Sequence, residues 1–277
     1  PVAVAPNPSL HPLPITHLTH LTIFPVACST CLSILPPPSP HSLTNTMTSF
    51  TFLLSLILMA LIFCGALADK ATDSASGCKK YVLISTRGIR EPEGASSAFT
   101  GMIQQTLSAL PGGIEVDTVY PADPSVSGAS VGVAWVSDYI TNGLKRCKEH
   151  KYALLGFSQG ALVETISAAL LVGNPEARAA IKAIVFAGNP LRVPNRRGNV
   201  DERGSSSNAG ASGESVEDNP DLFNLYAEDG KVLDFCFTGD PICDARYDQG
   251  GLAVHRKYGT TPEVQTLGAK FLISALH

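Results

Sequence analysis

From residue 81 onward, short apolar runs alternate with longer segments in which apolar residues recur every three or four positions. The short runs have the composition of buried parallel strands, and the longer segments have the period of amphipathic helices. The predicted strands are Tyr81–Thr86, Glu115–Tyr120, Tyr152–Phe157, Ala183–Ala187 and Lys231–Phe237. The predicted helices are Ala98–Leu110, Ser130–Cys147, Ala161–Val172 and Pro262–Leu276. The second of these would bury Val131, Trp135 and Tyr139.

This regular alternation predicts an α/β fold, a three-layer sandwich in which helices cover both faces of a mostly parallel sheet. Ligands of such sheets bind at the carboxyl ends of the strands. One segment interrupts the alternation, because residues 195–220 are rich in Ser, Gly and Asn. We interpret this segment as a mobile surface loop, with a substrate-gripping flap as the alternative.

Charge is confined to the later part of the chain, since none of the 20 Lys and Arg or 24 Asp and Glu residues precedes Asp69. Residues 1–46 hold ten of the 20 prolines and form a low-complexity leader that is not expected in the mature protein. Residues 47–68 resemble a signal peptide that ends in Ala66-Leu67-Ala68. The alternative is a retained membrane anchor at 50–68. Residues 69–277 then form a single domain.

Four cysteines fall within this domain, namely Cys78, Cys147, Cys236 and Cys243. Four cysteines in an exported domain indicate two disulfides with three possible pairings. We favour Cys78 with Cys147 and Cys236 with Cys243, because the second pair closes a short loop. Four thiolates around zinc is the alternative, although no Cys-x-x-Cys spacing supports it.

Candidate chemistry centres on Gly156-Phe157-Ser158-Gln159-Gly160, which follows a predicted strand and precedes a predicted helix. In this context Gly-x-Ser-x-Gly predicts a strained turn that exposes the serine hydroxyl while small neighbours relieve crowding. Ser158 is therefore the candidate nucleophile.

A serine nucleophile needs a base, and a carboxylate must orient that base. His255 is the candidate base, since His150 lies at the wrong end of its strand and His277 is terminal. Asp240 is the candidate carboxylate, because it follows a strand and lies between Cys236 and Cys243; Asp244 and Asp248 remain competitors. The backbone amide of Gln159 and an amide of the loop 87–92 would stabilise an oxyanion.

These motifs together resemble the cutinase and acetylxylan esterase family. The resemblance covers Cys78 to the C-terminus and rests on RG followed by EP, on Cys147 eleven residues before Ser158, on GFSQG, and on CFTGDPIC with His255 beyond it. It implies a five-stranded parallel sheet, the disulfide pairing given above, a triad of Ser158, Asp240 and His255, and an oxyanion hole at Ile89 and Gln159. The family carries a hydroxyl residue where this chain has Ile89, so that side-chain hydrogen bond is expected to be missing.

The sequence therefore predicts a secreted carboxylic ester hydrolase that works through an acyl-enzyme without cofactor or metal. The expected substrates are esters of plant cell-wall polymers, cutin or acetylxylan. The polar segment 244–251 favours short acyl groups on a hydrated polymer. We expect a monomer with no stable membrane partner, and the lack of a basic run excludes a nucleic-acid partner. A catalytically silent, elicitor-like binding protein of the same fold is the alternative.

Overall fold

The computed structural model describes residues 77–246 and 251–277. Its strands are β1 (Tyr81–Thr86), β2 (Gly113–Asp117), β3 (Lys151–Phe157), β4 (Ile181–Ala187), β5 (Asn199–Val200) and β6 (Val232–Phe235). Its α-helices are α1 (Thr100–Ala109), α2 (Val126–Arg146), α3 (Gln159–Leu171), α4 (Pro175–Ala180), α5 (Asn224–Glu228), α6 (Leu252–His255) and α7 (Pro262–Leu276). The predicted limits of β1 and α7 are confirmed, and the other predicted elements differ from the structure by one to four residues at an end.

Within the described residues the strands form one sheet in the order β2-β1-β3-β4-β6-β5, and every neighbouring pair is parallel. The α/β class and the parallel sheet are confirmed. The expected count of five strands is wrong by one, because the two-residue strand β5 pairs with the edge of β6. So short a strand has no period that a sequence pattern could show.

Helices cover both faces of the sheet, as predicted. On one face Val82 and Ile84 of β1 pack in a core with residues of α2, α3 and α4. On the other face Tyr81 and Leu83 pack in a core with residues of α1 and α7. This division follows from the alternation of side chains along a strand. The three layers leave the carboxyl ends of the strands open as a common edge for a site.

Residues 195–220 differ from the predicted surface loop, because buried polar groups tie them to the sheet. The fully buried guanidinium of Arg192 lies 2.8 Å from Oδ1 of Asp234 in β6. Arg196 reaches the other carboxylate oxygen at 3.4 Å, and the amide of Asn208 donates to the carbonyl of Cys236. The single carboxylate of Asp234 is thus shared by two buried guanidinium groups from a distant part of the chain, which the local sequence does not indicate.

The predicted buried face of α2 is also wrong in part. Val131 is 50% exposed, and Trp135 and Tyr139 are only partly buried. The helix instead buries a face of smaller residues, Gly128, Ala129, Gly132, Val133, Val136, Ile140, Gly143 and Leu144. Small residues let α2 approach α3 closely, since an added methyl group at Gly132 would lie 3.1 Å from Val163.

The four cysteines form two disulfides, Cys78–Cys147 with Cα atoms 5.6 Å apart and Cys236–Cys243 with Cα atoms 5.8 Å apart. A four-thiolate zinc site is thereby excluded, because the thiolates it requires are joined in pairs. In the part of the chain that the structure describes, no helix is both long and apolar enough to cross a membrane. The predicted leader, signal peptide and alternative anchor lie outside the described residues.

Candidate active site

Ser158 lies at the sharp turn between β3 and α3. Its backbone angles, φ 55° and ψ −121°, fall in a region that residues with a side chain rarely adopt. The turn is held because the amide of Ser158 donates to the carbonyl of Ala187 at 3.0 Å. The sequence-based prediction of a strained turn at this position is confirmed.

The two glycines around Ser158 are required by close packing rather than by unusual backbone angles. A methyl group on Gly160 would lie 2.1 Å from the carbonyl oxygen of Thr86, and one on Gly156 would lie 2.6 Å from the Cα of Ala161. Real side chains do not tolerate such distances. Both positions must therefore remain glycine for α3 to start directly against the ends of β1 and β3.

His255 and Asp240 form a buried pair at the same edge of the sheet. Nδ1 of His255 lies 3.0 and 2.9 Å from the two carboxylate oxygens of Asp240. Asp240 has no exposed surface and His255 is 5% exposed. The imidazole also stacks on the ring of Phe157, next to Ser158, with centroids 4.8 Å apart. A carboxylate at Nδ1 leaves Nε2 to accept a proton, as a general base must.

Tyr258 is a site residue that sequence reasoning missed. Its hydroxyl donates to Oδ2 of Asp240 at 2.6 Å and accepts from the amide of Phe237 at 3.1 Å. Burial, followed by the charge of Asp240, raises the pKa of Tyr258 well above its usual range. The phenol therefore keeps its proton and holds the carboxylate. The one available signal was its position three residues after His255.

Gly188 is a second site residue that sequence reasoning missed. It follows β4 with φ 61°, and a methyl group there would lie 2.4 Å from Cε1 of His255. The imidazole thus occupies space that any other residue would fill. Nothing in the local sequence around Gly188 shows that a side chain from a distant segment packs against it.

The competing residues lie elsewhere or have other partners. Nδ1 of His150 lies 3.3 Å from the hydroxyl of Tyr152, at the amino end of β3. The carboxylate of Asp244 is engaged by Arg246, whose guanidinium nitrogen lies 2.6 Å away. Asp248 lies outside the described residues.

The loop after β1 is shaped by Glu91, which accounts for the RG and EP motif. The carboxylate of Glu91 accepts from the amide of Gly88 at 2.7 Å and from the amide of Ser97 at 3.0 Å. Arg87 donates to the carbonyl of Glu91 at 3.1 Å. The turn brings Ile89 to the cavity wall beside Ser158.

The two predicted oxyanion donors lie on this wall. Gln159 is the first residue of α3, where backbone amides have no partner within the helix. Its side chain donates to the carbonyl of Asp123 at 2.6 Å, which ties the turn to the loop after β2. The side chain of Ile89 is 41% exposed and supplies no hydroxyl. The arrangement offers backbone amides but no side-chain donor from position 89.

A cavity of about 1220 Å³ joins these parts. Ser158, Gln159, Ile89 and His255 line it, and Asp240 lies behind His255. Nε2 of His255 has no hydrogen-bond partner among the described residues, so its bond to the hydroxyl of Ser158 is not formed here. Catalytic hydrogen bonds are often longer without substrate and shorten when it binds.

A parallel α/β sheet with a strained serine at the end of a central strand defines the protein as an α/β-hydrolase. The family model for cutinases matches residues 77–276, and the chain belongs to the cutinase family. It is therefore a carboxylic ester hydrolase.

Three relatives show the extent of the similarity. The solved structure of a cutinase-like protein from Cryptococcus sp. has a TM-score of 0.66 and 35% identity, and the match covers 73% of this chain and 97% of that one. Phospholipase Culp4 of Mycobacterium tuberculosis is 27% identical over 88% of this chain and 100% of its own length. The catalytic core domain of acetyl xylan esterase from Trichoderma reesei has a TM-score of 0.56 and 21% identity over 72% of this chain and 100% of that one.

Proposed function

We propose that the protein hydrolyses carboxylic esters through a covalent acyl-enzyme on Ser158. Oγ of Ser158 attacks the ester carbonyl while its proton passes to Nε2 of His255. The amides of Ile89 and Gln159 stabilise the oxyanion, and Asp240 holds the imidazole and stabilises its charged form. The intermediate expels the alcohol, which takes the proton from His255. Water then attacks the acyl group by the same steps and releases the acid.

One observation carries this proposal: the buried Asp240 and His255 pair leaves Nε2 without a hydrogen-bond partner among the described residues, and His255 and Ser158 line the same cavity. Such a pair beside a strained serine is what nucleophilic catalysis requires, because the hydroxyl is a weak nucleophile without a base. A binding protein would gain nothing from a histidine held in one tautomer or from a strained serine.

The test is Ser158→Ala with p-nitrophenyl butyrate as the substrate. Loss of the nucleophile should lower kcat by several orders of magnitude. Ser108→Ala is the matched control, since Ser108 is an exposed serine of α1 outside the cavity lining and should keep normal activity. Retention of most of the rate by Ser158→Ala would contradict the proposal.

A fluorophosphonate probe separates this proposal from a catalytically silent protein of the same fold. The active protein should be labelled at Ser158, and His255→Ala should abolish the labelling. An unlabelled wild-type protein that is folded by circular dichroism would favour the silent alternative.

We further propose that the protein acts outside the cell on esters of plant cell-wall polymers. Two disulfides support export, because such bonds persist in oxidising compartments. Of the two expected substrates, cutin fits the cavity better than acetylxylan, since an acetyl group would fill only a small part of its apolar wall. The preference for short acyl groups came from the segment 244–251, four of whose residues lie outside the described part.

A further inference from the structure

We propose that residues 118–123, a loop after β2 called here the brace loop, hold the two oxyanion donors at a fixed spacing, and that Tyr120 is the main positioning residue of this loop. The inference rests on the proposed ester hydrolysis at Ser158, because the donors are the backbone amides of Ile89 and Gln159. It adds a part of the molecule that lies behind the oxyanion hole and outside the triad.

The brace loop is anchored at both ends. Its first residue, Thr118, donates from its amide to the carbonyl of Ser85 in β1 at 3.0 Å. At its other end, Oδ1 of Asp123 accepts from the amide of Ser125, the residue that caps α2, at 2.8 Å. Because the sheet and a helix fix its two ends, the loop can hold other groups in place.

Arg87 and Tyr120 join the brace loop to the chain before Ile89. Nη2 of Arg87 donates to the carbonyl of Tyr120 at 2.6 Å, and the hydroxyl of Tyr120 donates to the carbonyl of Arg87. The guanidinium also lies over the tyrosine ring, 4.9 Å from its centroid, and the two residues are 4% and 5% exposed. Burial, opposed by the charge of Arg87, raises the pKa of Tyr120 above its usual range. The phenol therefore keeps its proton and continues to donate.

A second contact fixes the backbone directly after Ile89. The amide of Arg90 donates to the carbonyl of Ala122 in the brace loop at 2.9 Å. Both residues have left-handed backbone angles, φ 63° at Arg90 and φ 52° at Ala122, which residues with a side chain rarely adopt. Such strain persists where surrounding contacts maintain it, and it is common at functional sites. The amide of Ile89, between these contacts, has no hydrogen-bond partner among the described residues.

A third contact links the brace loop to the other donor. The side-chain amide of Gln159 donates to the carbonyl of Asp123 at 2.6 Å. The backbone amide of the same residue is the second proposed donor, at the first position of α3. The brace loop therefore contacts the chain beside each donor, although Ile89 and Gln159 are far apart in the sequence.

The spacing of the donors affects the rate because both must reach one oxygen atom. Donors in an oxyanion hole lie about 2.7–3.1 Å from the oxyanion, and a displacement of about 0.5 Å weakens a site of this kind. The oxygen develops its charge in the transition state, so a changed spacing should lower kcat and leave substrate binding nearly unchanged. Tyr120 does not line the cavity and acts only through the chain that carries Ile89.

The first experiment measures kcat and KM of Tyr120→Phe with p-nitrophenyl butyrate. The variant keeps the ring over Arg87 and loses only the hydroxyl, so kcat should fall at least tenfold while KM stays within twofold. Tyr81→Phe is the matched control, because the hydroxyl of this buried tyrosine also donates to a carbonyl, that of Leu110 at 2.5 Å. Tyr81 begins β1, at the end away from the site, and its variant should keep kcat within twofold. Equal kcat values in the two variants would overturn the inference.

The second experiment measures inhibition by pentyl trifluoromethyl ketone. Oγ of Ser158 adds reversibly to its carbonyl carbon and forms a tetrahedral oxyanion, while the serine proton passes to His255. The inhibition constant should rise in Tyr120→Phe by the same factor as kcat/KM falls, because both depend on the two donors. Fluorophosphonate titration gives the fraction of active molecules. Loss of activity through a lower titre, with an inhibition constant equal to that of the wild type, would contradict a positioning role.

The third experiment does not depend on catalysis. Hydrogen exchange of the Arg90 amide, measured by nuclear magnetic resonance, should be at least tenfold faster in Tyr120→Phe than in the wild type, because the brace loop holds this segment less firmly. Tyr81→Phe should exchange there at the wild-type rate. If the wild type hydrolyses no ester, the proposed function fails while this exchange pattern still supports the brace loop. Unchanged exchange in Tyr120→Phe would refute the inference.

Discussion

At the scale of single residues, position 89 would determine, in the proposed mechanism, how completely the oxyanion is stabilised. The side chain of Ile89 lines the cavity beside Ser158 without offering a hydrogen-bond donor. A well-aligned donor at an oxyanion contributes about 3 kcal/mol to transition-state stabilisation. The backbone amide at this position remains in place whatever the side chain. In the proposed mechanism the Ile89 side chain would therefore limit the rate without disturbing the rest of the site.

Ile89→Thr should raise kcat on p-nitrophenyl butyrate at least tenfold, because the added hydroxyl can donate to the oxyanion. Ile89→Val is the control, since valine has the shape of threonine without the hydroxyl. Equal kcat values for the two variants would show that the hydroxyl does not reach the oxyanion. Steady-state kinetics on the purified proteins provides the measurement.

The candidate site residues that were predicted from sequence share one property. Ser158, Asp240 and Ile89 each follow a strand, and the carboxyl ends of parallel strands meet at one edge. Tyr258 and Gly188 could not be predicted in this way. Their roles depend on contacts with the Asp240 and His255 pair, which no local pattern records.

At the scale of elements, the two disulfides have separate tasks because they lie at opposite ends of the sheet. Cys236–Cys243 closes the loop that carries Asp240, and Sγ of Cys243 lies 3.5 Å from the hydroxyl of Tyr258. Cys78 precedes β1 and Cys147 precedes β3, at the amino ends of the strands. The larger stabilisation should come from the bridge with the longer loop.

Each bridge can be removed by a paired Cys→Ser substitution. We expect one variant to lose more stability and the other to lose more activity. Loss of Cys78–Cys147 should lower the free energy of unfolding by about 4 kcal/mol and leave kcat nearly unchanged. Loss of Cys236–Cys243 should lower it by about 2.5 kcal/mol and reduce kcat at least tenfold, because Asp240 is no longer held. Urea unfolding and ester hydrolysis measure the two effects. A similar kcat in both variants would count against a positioning role for the short loop.

The elements also show where sequence patterns fail. Strand β1 and helix α7 were predicted to the residue, since a buried strand and an amphipathic helix have clear periods. Strand β5 was missed because the segment before it is anchored by ion pairs of Arg192 and Arg196 with Asp234, which lies far away in the sequence. The large side chains of α2 led to a wrong prediction of its buried face. The face that is buried consists mainly of small residues, because α2 packs closely against α3.

At the scale of the whole molecule, Glu164 couples stability to pH. This residue of α3 is fully buried, accepts a hydrogen bond from the hydroxyl of Thr86, and leaves Oε2 without a partner among the described residues. Burial raises the pKa of Glu164 from 4.5 to about 8, against the smaller lowering effect of Thr86. The folded protein thus holds a proton that the unfolded chain releases.

The contribution of Glu164 to the free energy of unfolding should therefore be greatest below pH 4.5 and should fall as the pH rises towards 8. The slope is about 1.4 kcal/mol per pH unit within that window. Glu164→Gln removes this titration, so its stability relative to the wild type should increase with pH. Urea unfolding at several pH values measures the difference, and Glu149→Gln, at an exposed glutamate, is the control. Parallel pH profiles for wild type and Glu164→Gln would contradict the assignment.

The cavity itself is a property of the whole molecule that the sequence did not reveal. Its walls combine residues from loops, from α2 and from α3, and their separation depends on how the sheet positions the two helices. The sequence located the reacting groups but favoured a short acyl group. Beyond Ser158 the cavity is lined by Leu162, Ile166 and Leu170 of α3.

The backbone angles of Ser158 restrict which other nucleophiles evolution could install at this turn. With φ 55° and ψ −121°, a residue branched at Cβ would clash with its own backbone, whereas an unbranched one would not. Cysteine is therefore an accessible replacement and threonine is not. A descendant of this protein could become a thiol-dependent esterase by one codon change, while a threonine-dependent enzyme would require a different turn.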